Sequence, residues 1–129
     1  MASKIVYKTL SYKVVGILFK IVKELGSSYH ERYYQRAIEK YLRKMNIPYQ
    51  KEFKVELLID REKIGHHFID FVIDGRLVLE VKKGNTFRMA DIKQVLMYLK
   101  SANLKLGLLA YFGKAGVRVK RVINSSYTK

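Results

Sequence analysis

The chain has 129 residues, with 26 Lys+Arg against 11 Asp+Glu, a formal net charge of +15 and no cysteine, so disulfides, thiolate zinc sites and cysteine nucleophiles are excluded. That length is expected to form a single domain over residues 1–129, large enough to bury most of its apolar surface without staples. The first residues, MASKIVYKTL, lack a continuous apolar run, and nothing later approaches the ~18 uncharged apolar residues of a membrane span. The reading is therefore a soluble, cytoplasmic protein with no membrane partner, whose charge calls for a polyanion, nucleic acid first.

The elements follow from hydrophobic period. Val14, Leu18, Ile21, Val22 and Leu25 form one helical stripe, predicting a helix over 12–25 with Ser11 as N-cap and Gly26 as its stop. A second helix is expected from about Tyr29 to Met45, with Tyr33, Ala37, Ile38, Tyr41 and Leu42 on one face and a capping box from Ser28 to Glu31. After MNIPY the period becomes that of strands. EFKVELLID and KIGHHFIDFVID are joined by a short polar turn at Arg61–Lys63, and Asp74-Gly75 marks a hairpin into RLVLEVKK. Residues 88–102 read as a helix with Ile92, Val95, Leu96 and Leu99 inward. KLGLLAYFG reads as a buried strand, and GVRVKRVI as an edge strand that turns Arg118, Lys120 and Arg121 outward. The order ααβββαββ predicts an α/β or α+β fold, a central mixed sheet with helices on both faces.

The acids are not spread evenly. Residues 1–54 hold 12 basic and 4 acidic side chains, residues 55–100 hold 8 and 7, and residues 101–129 hold 6 and none. A nucleic-acid binder gains affinity from basic positions and nothing from carboxylates near phosphates, unless those carboxylates hold a cation. The acid-rich stretch contains IDFVIDGRLVLEVKK, residues 69–83, in which Asp70, Glu80 and Lys82 form D-x9-E-x-K inside apolar strands. Carboxylates among apolar neighbours lose hydration unless something cationic replaces it. Two of them suit Mg²⁺ or Mn²⁺, and a neighbouring lysine can hold an attacking hydroxide or offset charge on phosphorus. The geometry constrains the turn: a two-residue loop would pair Asp70 with Leu79 and leave Asp70 and Glu80 on opposite faces, so the connection must be odd in length or bulged.

Asp70, Glu80-Val81-Lys82 and a following helix with Gln94 resemble the PD-(D/E)XK nuclease superfamily, and Gln94-Val95-Leu96-Met97-Tyr98 matches the Q-x-x-x-Y motif of its RecB-like members. The closer resemblance is to the small GxxExxY proteins of that superfamily, running from LSYKVVG through ELGSSYHERYYQRAIEKYLRKMNIPYQ to QVLMYLKSANLKLGLLAYFG; the Glu and Tyr of the family name correspond to Glu31 and Tyr34. Ser28 stands where a glycine is usual, and Ile69 replaces the superfamily's proline. Neither removes a ligand. Gly26–Arg32 also resembles the first motif of archaeal Holliday junction resolvases, which are similarly small, basic and dimeric. The resemblance implies a PD-(D/E)XK nuclease core and a Mg²⁺ or Mn²⁺ site of Asp70, Glu80 and Val81 with Glu31, Lys82 as catalytic lysine, and Gln94 and Tyr98 as supporting catalytic residues. Lys83, Arg88, Lys114, Arg118 and Lys120 then form a track for phosphates.

Blander roles compete at several positions. Glu31 can serve the capping box instead of a metal, Gln94 and Tyr98 can be an ordinary hydrogen-bonded helix surface, and His66 and His67 lie on opposite faces of a strand as ordinary histidines. Asp74 reads as a turn residue and Asp91 as support for its helix start. Three functions follow: a Mg²⁺-dependent deoxyribonuclease for single-stranded or branched DNA, a non-catalytic nucleic-acid-binding module on a nuclease fold, and an accessory subunit of a larger complex. A nuclease this small that acts on two strands needs two sites about a two-fold axis, so a homodimer is expected, through an apolar helix face or the edge of the last strand.

Overall fold

The computed structural model describes residues 6–128, and its elements run α1 (Lys8–Leu25), α2 (Glu31–Lys44), β1 (Tyr49–Ile59), β2 (Glu62–Ile73), β3 (Leu77–Lys83), α3 (Met89–Ala102), β4 (Leu106–Gly113) and β5 (Gly116–Ile123). The strands form one mixed sheet in the order β1-β2-β3-β4-β5, antiparallel except for the parallel β3–β4 pair that α3 connects. This is the α+β architecture the period analysis leads to. The inner strands read LVLEV and LGLLAYF because both faces are covered. Leu77, Leu79, Val81, Leu106, Leu108 and Ala110 pack with Val14, Leu18, Ile21, Ile38 and Leu42 of α1 and α2. Val72, Val78, Leu109 and Tyr111 pack on the other face with Val95, Tyr98 and Leu99 of α3. No described helix is long and apolar enough to cross a membrane.

Several element ends differ from expectation. Helix α1 begins at Lys8, one turn before the apolar stripe, so Ser11 lies inside it, buried, with its hydroxyl donating to the Lys8 carbonyl. The capping box at Ser28 does not form: α2 begins at Glu31 behind His30, with no side-chain cap. Strand β1 starts at Tyr49, and the turn to β2 is Asp60-Arg61, both in the left-handed region as a two-residue hairpin requires.

Glycine 107 fixes the distance between α3 and the sheet. A Cβ there would lie 2.6 Å from Val95 Cγ1 and 3.5 Å from Leu99 Cδ1. Gly107→Ala is expected to destabilise the protein by about 1–3 kcal/mol, the usual cost of overpacking, read as a lowered thermal midpoint. An unchanged midpoint would mean that α3 can shift freely on its bed.

Candidate active site

The β2–β3 connection is the three residues Asp74, Gly75 and Arg76, since Ile73 pairs with Leu77 and Phe71 with Leu79. Asp74 and Gly75 both take positive φ, and the Arg76 N–H closes the turn on the Ile73 carbonyl at 3.0 Å. Continuing that register places Asp70 opposite Glu80. There the ladder stops, and β1 pairs with β2 on either side of Glu52 and Asp70 but not between them, with Glu52 at φ 53°. The faces of both strands invert at this point: Phe71 and Ile73 belong to the core under α1 and α2, whereas Ile69 and Val55 belong to the core under α3. Strict alternation would keep residues 69, 71 and 73 on one side.

Where the backbone ladder ends, the two acids take over its hydrogen bonds. The Asp70 N–H donates to Glu80 Oε1 at 2.8 Å, and the Val81 N–H donates to Asp70 Oδ2 at 2.8 Å. One oxygen of each carboxylate is thereby fixed; the second oxygen of Glu80 faces the Lys82 ammonium. Glu80 is only 3% exposed. Its carboxyl is pushed up to about 8, first by burial and then by the neighbouring Asp70 charge. Burial also raises Asp70, against the lowering effect of the Val81 N–H and Lys82, and the Glu31 charge adds to the rise.

Lys82 reaches over this pair, its Nζ 4.0 Å from Glu80 Oε2 and 3.2 Å from Gln94 Oε1 of α3. Tyr98 lies one turn beyond Gln94. Burial, then the Glu80 and Asp70 charges, push its hydroxyl up to about 12. The His67 ring stands 6.0 Å from the Tyr98 ring, while His66 packs against Phe68 on the opposite face. Asp70, Glu80, Lys82, Gln94 and Tyr98 are therefore one cluster at the end of β3.

Glu31 opens α2 at the edge of this cluster. Its charge reaches Asp70, and among the described residues its carboxylate has no hydrogen bond or ion pair, so the competing cap role is absent. Glu31 does not complete a cluster, however: no three acidic or histidine side chains among the described residues converge as a ready metal-ligand set. Tyr34 is buried structure. It stacks on Phe112 at 4.0 Å, donates to the Gly26 carbonyl at 2.7 Å and accepts from the Tyr29 N–H at 3.2 Å, tying the α1–α2 connection to the start of α2.

Asp91 was assigned by its sequence position only to support the helix start, yet it shares a helical face with Gln94 and Tyr98 at i, i+3 and i+7. Its carboxylate accepts from the Tyr111 hydroxyl and from Arg88 Nε at 3.1 Å. Burial acts to raise it, but those hydrogen bonds and Lys82 hold it below the ordinary carboxylate range. The network clamps the start of α3 to β4 and so positions Gln94 over Lys82. The three-four spacing is the signal that could have found it.

The basic residues expected to follow a nucleic-acid backbone differ in freedom. Lys83 donates to the Ser27 carbonyl and lies 5.4 Å from the Tyr34 ring centre. Arg88 is engaged by Asp91. Arg118 donates to the Asn85 carbonyl at 2.8 Å and stacks over Phe87, whereas Lys114 and Lys120 are exposed. Sheet register sets Lys82, Tyr111 and Arg118 in one row across β3, β4 and β5, with Glu80, Leu109 and Lys120 in another. Arg121 points to the other face, bonded to Ser11 Oγ and the Val6 carbonyl.

The donor set fits a hard divalent cation. It offers the second oxygens of half-buried Asp70 and buried Glu80, two carboxylates whose mutual repulsion a cation would relieve, and Val81, with its side chain in the core, can add only its main-chain carbonyl. Two acids and a clamped lysine at the end of a parallel strand, followed by a crossover helix, define the class. Residues 8–122 match the family model of the PD-(D/E)XK nuclease superfamily, and the chain belongs to that superfamily. Its members are nucleases that generally use divalent metals. The crystal structure of SSO0001 is similar in fold, with a TM-score of 0.57 and 18% identity over 91% of this chain. The chain spans 58% of SSO0001's length. No curated protein matches the sequence.

Proposed function

We propose that the protein is a Mg²⁺- or Mn²⁺-dependent deoxyribonuclease of the GxxExxY group, hydrolysing DNA phosphodiester bonds in single-stranded or branched substrates during repair, recombination or mobile-element and defence processes in the cytoplasm. The observation that carries this reading is the pair of hydrogen bonds from the Asp70 N–H to Glu80 and from the Val81 N–H to Asp70, which holds the two carboxylates together beneath Lys82. Asp70, Glu80 and the Val81 carbonyl would hold the cation, with Glu31 at the rim. A bound cation supplies water activation and polarises the phosphoryl oxygen.

The chain's own groups do the rest. Gln94 orients the Lys82 ammonium, which faces the carboxylate pair and can offset charge building on phosphorus in the transition state. Tyr98 stays protonated at any working pH, because its hydroxyl is pushed up to about 12, so it walls the site without adding charge. The resolvase-like alternative within this class asks for two sites about a two-fold axis. A homodimer is supported by the outer face of α1, where Tyr12 and Phe19 are 78% and 55% exposed. Light scattering at concentrations where DNA binds should give a dimer; a monomer, free and on DNA, would point to nicking of one strand.

The test of the activity is cleavage of single-stranded, duplex, flap and four-way-junction DNA with Mg²⁺, Mn²⁺ or EDTA. Metal-dependent cleavage that EDTA abolishes is expected, greatest on single-stranded or branched forms. Binding without cleavage under every metal would make the protein a nucleic-acid-binding module or accessory subunit.

A further inference from the structure

The α1–α2 connection and the first turns of α2 carry an exposed aromatic and cationic cluster that no step at the carboxylate pair uses. Tyr29 and Tyr33 are 47% and 38% exposed, with ring centres 6.0 Å apart in an edge-to-face arrangement. Arg32 lies 5.0 Å from the Tyr33 ring centre and donates to its hydroxyl at 3.3 Å, and Arg36 lies 5.8 Å from the same ring. The Arg32 hydrogen bond first, then the Arg32 charge and more weakly the Arg36 charge, lower the Tyr33 hydroxyl. Next to this cluster is a cleft of about 390 Å³ lined by His30, Glu31, Arg32 and Lys83. Glu31 in turn is close enough to act on Asp70. The cleft therefore shares Arg32 with the cluster and Glu31 with the surroundings of Asp70.

Two features argue against a merely solvated helix face. Tyr34, the neighbouring tyrosine, already does the packing at this helix start, fully buried against Phe112. Tyr29 and Tyr33 thus leave apolar ring surface in water without a core role. Among the described residues the groups around the Tyr33 ring are Tyr29, edge to face, and the guanidinium groups of Arg32 and Arg36, which can serve a stacked base and a phosphate at once. Single-stranded nucleic acid is bound by this combination, aromatic faces for bases and cations for the backbone between them. In a duplex the bases are stacked on one another and their faces are closed to side chains.

We propose that Tyr29 and Tyr33, flanked by Arg32 and Arg36, form a stacking subsite for unpaired nucleotides that leads a single strand through the His30–Lys83 cleft to the Asp70–Glu80 pair. The inference rests on the nuclease reading for its direction but has its own readout. The subsite makes the protein prefer strands with at least two unpaired nucleotides beside the scissile position, and it selects substrate form without reading sequence.

The chain has no tryptophan, so Tyr33→Trp introduces a single indole at the subsite. Titrating oligo(dT) in EDTA is expected to quench its emission, while a blunt linear duplex leaves it unchanged. The paired substitution Tyr29→Leu with Tyr33→Leu keeps apolar bulk and removes the aromatic faces. It is expected to weaken oligo(dT) binding about tenfold or more, with duplex binding within about twofold and an unchanged thermal midpoint. Equal losses for single strand and duplex would overturn the proposal in favour of a general phosphate contact, and unchanged oligo(dT) binding would reduce the cluster to a solvated face. These measurements contain no metal, so an absence of cleavage elsewhere would leave them standing, and their failure would leave the cleavage assay standing.

Discussion

Replacing Glu80 by alanine is expected to reduce metal-dependent cleavage by about three orders of magnitude while leaving oligonucleotide affinity within about twofold. Glu80 supplies the buried member of the carboxylate pair, and its Oε1 also caps the Asp70 N–H. Removing it loses a cation ligand and frees Asp70 to turn. A correctly held cation contributes several kcal/mol to the stabilisation of charge in the transition state, and each ~1.4 kcal/mol is tenfold in rate. Affinity comes from elsewhere, from phosphate contacts by a chain of net charge +15. Measured together, single-turnover cleavage and filter binding separate the two. Cleavage at the parent rate by Glu80→Ala would place the chemistry outside this site.

Substituting Glu80 with glutamine is expected to stabilise the metal-free protein at alkaline pH. Glu80 in the folded chain titrates at about 8 against an ordinary value of 4.5, chiefly because burial penalises its charged form. Between these values the folded state binds more protons than the unfolded state, so stability falls as pH rises. The favourable contribution is complete below about pH 4.5 and is lost as pH passes through about 8, a span on the order of a few kcal/mol. Glutamine keeps an oxygen to accept the Asp70 N–H and does not ionise. In EDTA the variant's thermal midpoint should exceed the parent's by roughly 5–10 °C at pH 8 and match it near pH 4.5. Mg²⁺ should close the gap by stabilising the parent alone. A parent midpoint flat between pH 5 and 8 in EDTA would mean that the acid pair is hydrated in the folded state.

Period and residue type were enough to read the order of elements, because burial on both sides of β3 and β4 writes unbroken apolar runs and a helix face repeats every three to four residues. The spacing of Asp70 and Glu80 around Asp74-Gly75 was likewise legible down to the need for an odd connection, since side chains alternate strictly along a paired strand. The starts of α1 and α2 were not. Ser11 and Ser28 have the chemistry of caps, yet α1 is extended by tertiary packing through Leu10, and α2 starts where Tyr34 binds the Gly26 carbonyl. A cap preference worth about 1 kcal/mol yields to a fully buried aromatic ring.

Composition and alternation, properties of the residues alone, make this chain a basic α+β protein with two acids and a lysine set in apolar strands. How those residues meet depends on packing in three dimensions. The inversion of β1 and β2 at Glu52 and Asp70 breaks the alternation on which any reading of faces depends. It leaves two backbone N–H groups for the carboxylates to cap. The hold of α3, set by Gly107 and by the Asp91–Tyr111 bond, brings Gln94 to Lys82. These are contacts between residues 10 to 20 or more positions apart, and their geometry depends on packing distances that no local pattern encodes.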